Sequence, residues 1–256
     1  MRHAALMFAA SALAMLTACD SPTAPQADLS AVQPAFAKKS PPPPPPPTPS
    51  PAHTPIIFVH GWNSSASTWS TMRSRFRADG WTDAELHTFS YDFSRSNATT
   101  AGIIAAKVDS IRANTGAAKV TLITHSMGSL SARYYLRNLA GDSKVAAMVS
   151  LAGVDHGTST AYACFQTSCF EMWPGSSFLS TLNATDETWG TTFYATWRSP
   201  CDEVVNPRSS TILSGATNTE TACMSHSQLK ENATVYAQVR SFVTLPSGQT
   251  IIAAVP

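Results

Sequence analysis

Charged side chains are scarce in this chain. Only 13% of its 256 residues are Asp, Glu, Lys or Arg, and the 17 bases and 16 acids leave a formal net charge of +1. A surface that binds a polyanion needs a basic surplus, so no nucleic-acid partner is expected and electrostatic steering is excluded as a main device. Long apolar runs are missing too. The N-terminal run from Ala4 to Leu16 is too short to cross a bilayer as a helix. There is no internal repeat. Cysteine is sparing, and the five present are an odd number, so at least one must do something other than pair within the chain.

The first fifty or so residues read differently from the rest. Arg2 and His3 open a polar start, the apolar run follows, and Leu16-Thr17-Ala18-Cys19 closes it. Residues 1–19 therefore read as an export signal. Their last four residues resemble a bacterial lipobox, which implies cleavage before Cys19, acylation of its thiol and a lipid anchor at a membrane surface. An ordinary signal peptide with a cysteine nearby is the alternative, so the expected location is the cell envelope or the exterior. Assigning Cys19 to lipid leaves Cys164, Cys169, Cys201 and Cys223. Three pairings are open to four cysteines; Cys164–Cys169 and Cys201–Cys223 are favoured because each closes a local loop, and an exported chain meets an oxidising compartment. Residues 20–54 read as a linker, with an unbroken proline run from Pro41 to Pro47 that favours extended polyproline II. Residues 55–256 remain for one domain with a substantial core.

Within that domain, apolar β-branched runs alternate with helix-periodic ones. Strands are expected at Ile56–Val59, Leu86–Tyr91, Val120–Thr124, Val145–Leu151 and Thr192–Trp197, with a weaker one at Thr219–Met224. Helices are expected at Thr68–Ala78, Ala101–Ala113, Met127–Leu139 and Val235–Val243, and residues 155–190 read as irregular. Strands alternating with helices argue for an α/β architecture around a parallel sheet.

The chemistry concentrates at Thr124-His125-Ser126-Met127-Gly128. A β-branched run ends at a serine and a helix-periodic run begins at once, the pattern that holds a hydroxyl on a strained strand-to-helix turn. Ser126 is the candidate nucleophile. A histidine must take its proton. His3 and His53 fall in the signal and the linker, His60 suits support of the loop after the first strand, His87 lies in a strand, and His125 would point away from its neighbour. His156 and His226 remain. Turns of this kind place their partners in the chain order serine, acid, histidine, which favours His226. Asp202 is the favoured acid because it follows the strand ending near Trp197; Glu203 and Asp186 are the alternatives. A Cys201–Cys223 bond would tie the acid's loop to the histidine's. Two backbone N–H groups are needed for the oxyanion, and the positions point to Met127 and Trp62.

These stretches resemble one family. Phe58-Val59-His60-Gly61-Trp62-Asn63, the Ser126 pentapeptide, Ser199-Pro200-Cys201-Asp202-Glu203-Val204-Val205-Asn206-Pro207 and Cys223-Met224-Ser225-His226 look like the bacterial secreted lipases of the α/β-hydrolase superfamily, of the class 2 triacylglycerol lipase type. The resemblance runs from about residue 54 to 245. It implies an α/β-hydrolase fold, a mostly parallel central sheet with helices on both faces, and hydrolysis of acylglycerols or other carboxylic esters through an acyl-serine, with no cofactor. Some relatives bind structural calcium; no oxygen-ligand cluster stands out here, so no metal is expected. The substrate would be a lipid or ester and the enzyme a monomer. The alternatives are a short-chain esterase, a polyester depolymerase, a thioesterase or amidase, or a non-catalytic surface lipoprotein on the same fold. Phe165, Phe170, Trp173 and Phe178 could belong to a lid or to a wall of the acyl site; their default expectation is burial in ordinary core.

Overall fold

The computed structural model describes residues 51–244. The expected signal, Cys19 with its lipid and the proline run all lie outside the described residues. Four of the six strands carry continuous or near-continuous buried runs, because a parallel strand flanked by crossover helices is covered on both faces. They are β1 (Ile56–Val59), β3 (Val120–His125), β4 (Val145–Leu151) and β5 (Phe193–Arg198); β2 (Leu86–Thr88) and β6 (Thr217–Glu220) are short. They form one sheet in the order β2-β1-β3-β4-β5-β6, and every pairing is parallel.

Helices α1 (Ser70–Ala78), α2 (Asn97–Thr115), α3 (Gly128–Asn138) and α6 (Ala233–Val243) cover the sheet. α2 packs on α3, and α1 packs on α6. Phe76 of α1 meets Tyr236 of α6 edge-on at 4.9 Å and lies 6.1 Å from Phe58 of β1. This is the α/β-hydrolase arrangement that the resemblance implied.

Several boundaries move. α2 starts at Asn97, not Ala101, because the Ser96 hydroxyl accepts the Ala98 N–H and caps the helix four residues early. β2 stops at Thr88, and the expected continuation to Tyr91 is loop. β6 sits at Thr217–Glu220 instead of Thr219–Met224; it is a polar edge strand with no apolar run to announce it. The stretch read as irregular holds a 3₁₀ turn at Ser159–Ala163 and two short helices, α4 (Thr167–Glu171) and α5 (Ser177–Leu182). The folded body is already engaged at His53, whose ring stacks on Trp81 at 4.1 Å while its N–H meets Glu85.

Candidate active site

Ser126 sits directly after β3 with a φ of 55°. A non-glycine residue in this left-handed region costs on the order of 1–3 kcal/mol, so its surroundings must impose it. They do so from two sides. The Ser126 N–H donates to Leu151 O at the end of β4, at 3.0 Å. Gly128 opens α3 so close to β1 that a Cβ there would lie 2.5 Å from His60 O and 2.6 Å from Val59 O. Only glycine permits that approach. The first turn of α3 therefore points its free N–H groups and its partial positive charge at the space beside Ser126.

The sheet brings Asp202 and His226 to the same edge. Both follow neighbouring strands, β5 and β6, and their loops are joined by the Cys201–Cys223 disulfide, with Cα atoms 5.0 Å apart. Ser199 adds two further ties, donating from its hydroxyl to Met224 O at 2.6 Å and accepting Met224 N–H at 3.0 Å. His226 Nδ1–H donates to Asp202 Oδ2 at 2.9 Å, with Oδ1 at 3.1 Å. Oδ1 also accepts the N–H groups of Val204 and Val205 at 2.8 and 2.9 Å. Burial alone would raise the Asp202 pKa, but the imidazole and these amides outweigh it and hold the carboxyl below the ordinary range. A carboxylate on Nδ1 fixes the tautomer and leaves Nε2 with its lone pair free.

Ser126 and His226 line one cavity of about 390 Å³ together with Trp62 and Asn63. Its other walls are mainly apolar, with Val154, Ala161, Met172 and Val204 among them. No hydrogen bond joins Ser126 Oγ to the imidazole. Such contacts often tighten only around bound substrate.

The loop after β1 is built around His60. This buried ring donates from Nδ1 to Gly61 O at 2.8 Å, accepts Tyr91 N–H on Nε2 at 3.4 Å and stacks on the Tyr91 ring at 4.0 Å. Burial lowers its pKa, which keeps the ring neutral and the tautomer constant. Pinning Gly61 O pins the whole Gly61–Trp62 peptide plane, so the Trp62 N–H is held on the opposite edge. Neither Trp62 N–H nor Met127 N–H donates to a backbone acceptor among the described residues.

Other candidates fall elsewhere. His156 is clamped by Glu187 at 2.7 Å, away from Ser126's cavity. Asp155 is buried against Arg133 at 3.7 Å and accepts the Ser150 hydroxyl at 2.8 Å. Asp186 caps a surface turn at Thr188. Among the described residues, no three His, Cys, Asp or Glu side chains group to hold a metal, and no helix is long and apolar enough to cross a membrane.

The model of the class 2 lipase family matches residues 53–242. The chain belongs to the class 2 lipase family. As a class 2 lipase it is a carboxylic ester hydrolase of the lipase and esterase kind. Solved structures share the fold. The mature Bacillus licheniformis lipase BlEst2 superposes with a TM-score of 0.68 at 18% identity, over 77% of this chain and 94% of that one. Aspergillus fumigatus lipase B gives 0.64 at 16%, over 76% of this chain and 53% of that one. The product of the lin2722 gene of Listeria innocua gives 0.59 at 13%, over 77% and 97%.

Two residues of this lipase escaped the sequence reading. His125 Nε2 donates to the backbone carbonyl of His226 at 3.0 Å and its ring lies 4.5 Å from that imidazole. Burial and the neighbouring His226 push its pKa well down, so it stays a neutral prop. Glu203, weighed as an acid, instead accepts the His226 backbone N–H at 3.0 Å. No local pattern announces either contact. The aromatic residues of the 155–190 stretch also differ from expectation: Phe165 and Phe170 are exposed, while Trp173 and Phe178 are half-buried. Both pairs of the favoured disulfides are formed, as suits an oxidising compartment.

Proposed function

We propose that this protein is an exported triacylglycerol lipase whose residues Ser126, His226 and Asp202 act as a catalytic triad. The observation that carries this reading is the His226–Asp202 pair: its hydrogen bond on Nδ1 leaves Nε2 as the free base in the cavity that also holds the Ser126 hydroxyl. Ser126 Oγ attacks the ester carbonyl while His226 Nε2 takes its proton. The carbonyl oxygen gains negative charge and is held by the Trp62 and Met127 N–H groups, each worth about 2.7–4 kcal/mol in the transition state. The imidazolium then protonates the leaving alcohol, and the C–O bond to it breaks. Water, deprotonated by the same imidazole, attacks the acyl-serine, and Ser126 leaves with the returned proton and the fatty acid is freed. Asp202, kept ionised, stabilises the imidazolium in both halves.

The largely apolar walls favour an acyl chain over a polar one, and the volume falls within the range of small-molecule clefts, roughly 300–1,000 Å³. Lipid attachment at Cys19 and a tether through residues 20–54 belong to the same reading. A chain-length series of p-nitrophenyl esters beside emulsified triglyceride tests it, with Ser126→Ala as control. Long-chain and triglyceride hydrolysis abolished by Ser126→Ala is expected. Activity confined to acetate and butyrate esters would make the protein an esterase. A folded protein with no ester hydrolysis would be a binding lipoprotein.

A further inference from the structure

The cavity that holds Ser126 has few polar side chains, and most of them are already occupied. The Thr158 and Thr160 hydroxyls both line it and both donate to Val204 O, at 2.6 and 2.8 Å. The Trp62 indole N–H donates to Gln166 Oε1 at 2.7 Å. The His226 Nδ1–H is taken by Asp202. Asn63 also lines the cavity. It is exposed, and its carboxamide makes no hydrogen bond among the described residues. Among those residues it is the one lining side chain whose N–H donors are free.

The backbone gives this side chain no folding role. Asn63 has a φ of 49° and lies in the turn between β1 and the 3₁₀ turn at Ala66–Trp69. Glycine adopts this left-handed region at no steric cost, whereas a residue with a Cβ is strained there. An asparagine stands where glycine would fold at least as well, with its amide idle and in the cavity; strain of this kind points to a ligand. Its place in the chain narrows the choice. Asn63 follows Trp62 directly, so it stands beside the position that the scissile carbonyl takes against the Trp62 N–H. The acyl chain has Val154, Ala161, Met172 and Val204 to lie on. Laid against Asn63 instead, it would strip water from the carboxamide and return no hydrogen bond. An alcohol part that carries an oxygen of its own returns one.

We propose that Asn63 is a specificity-determining residue: its carboxamide N–H donates to an oxygen on the alcohol part of the ester, one carbon beyond the carbon that bears the scissile oxygen. The protein thereby favours esters of polyols over esters of plain alkanols. The proposal rests on the ester-hydrolase reading of the Ser126 cavity. A site that hydrogen-bonds a substrate oxygen discriminates against the analogue that lacks it.

The test compares two dissolved esters of equal length, methoxyethyl butyrate and n-butyl butyrate, which differ by one ether oxygen in place of one methylene. That oxygen only accepts, so it reports donation by the protein. Asn63→Gly removes the carboxamide and suits the left-handed turn, so the fold is kept. The ratio of kcat/KM for methoxyethyl over n-butyl butyrate is expected to fall about three- to tenfold in Asn63→Gly, the scale of one neutral hydrogen bond. The fall is expected in KM, because the bond forms to bound substrate as well as to the transition state. Asn63→Asp, which has the shape but no N–H, is expected to lower the ratio by at least as much. An unchanged ratio would overturn the proposal. So would an equal fall of kcat on both esters, which would make Asn63 a further oxyanion donor or a support of the Trp62 loop. A folded parent that hydrolyses neither ester would count against the ester-hydrolase reading instead. Binding of the two esters to Ser126→Ala protein, followed by tryptophan fluorescence, then decides the proposal by the same ratio, which is expected to fall on adding Asn63→Gly and overturns the proposal if it does not.

Discussion

Gly61→Ala is the substitution through which the site's geometry can be tried most severely. A Cβ built on Gly61 lies 2.8 Å from Ser126 Cβ, 3.1 Å from His125 O and 3.3 Å from Ser126 Oγ. Ordinary contact begins at 3.4 Å, so the closest pair is 0.6 Å too near. Neither side yields freely. Ser126 and His125 O belong to the strained turn between β3 and α3, and Gly61 is fixed by His60 through its carbonyl. Overpacking of this kind costs about 1–3 kcal/mol. The part that moves is either Ser126, the proposed nucleophile, or the peptide plane that aims the Trp62 N–H, a proposed oxyanion donor. Losing one oxyanion donor costs about 100- to 1,000-fold in kcat. We therefore expect kcat on p-nitrophenyl butyrate to fall at least about 100-fold with KM little changed, because the lost contact exists only in the transition state. The melting temperature should fall by about 3–10 °C. Gly102→Ala is the control: nothing lies within 4 Å of a Cβ there, and its place inside α2 makes a gain of up to about 1 kcal/mol the expectation. A Gly61→Ala enzyme that folds and keeps kcat within about threefold would refute the placement of this loop against Ser126.

Other consequences are open to simple assays. His125→Leu leaves the His226 carbonyl without its donor; urea unfolding should show a loss of about 1–3 kcal/mol, and kcat should fall about tenfold as the ring proposed as the base loses its support. Replacing Cys201 and Cys223 together by serine opens a loop with a sequence separation of 22 and should cost about 3 kcal/mol, with activity lost at a lower temperature than unfolding. Stability should also depend on acid. His60 and His125 have folded pKa values below the ordinary 6.5, so the folded state binds fewer protons than the unfolded chain. Stability is then full above about pH 6.5 and declines below it, by at most about 1.4 kcal/mol per pH unit for each ring. Urea midpoints that stay flat between about pH 5 and 7 would contradict this, and His125→Leu should flatten the slope.

Much of this architecture was legible where a local pattern suffices. β1 and β4 occupy the residues that their continuous apolar runs indicated, and α3 differs from expectation by one residue at each end. β6 was misplaced because an exposed edge strand, Thr-Asn-Thr-Glu, carries no apolar run and is defined only by its pairing with β5. α4 and α5, with five and six residues, are too short to show a helical period. The Ser126 turn could be read because its strain, its glycine and the following helix all lie within a few residues. The His125–His226 contact could not, since it joins residues 101 positions apart and leaves no trace in either neighbourhood. The exposure of Phe165 was equally hidden: an apolar ring reads alike in core and on surface.

Ser126 is proposed as a nucleophile activated by His226. Diethyl p-nitrophenyl phosphate tests it directly, since an activated serine displaces p-nitrophenolate and keeps the diethylphosphoryl group. Mass spectrometry of the digested protein should find one such group per chain, on the peptide containing Ser126, and labelling should slow at least about 1,000-fold in His226→Ala. A fully active enzyme that takes no label, or takes it on another residue, would contradict the account.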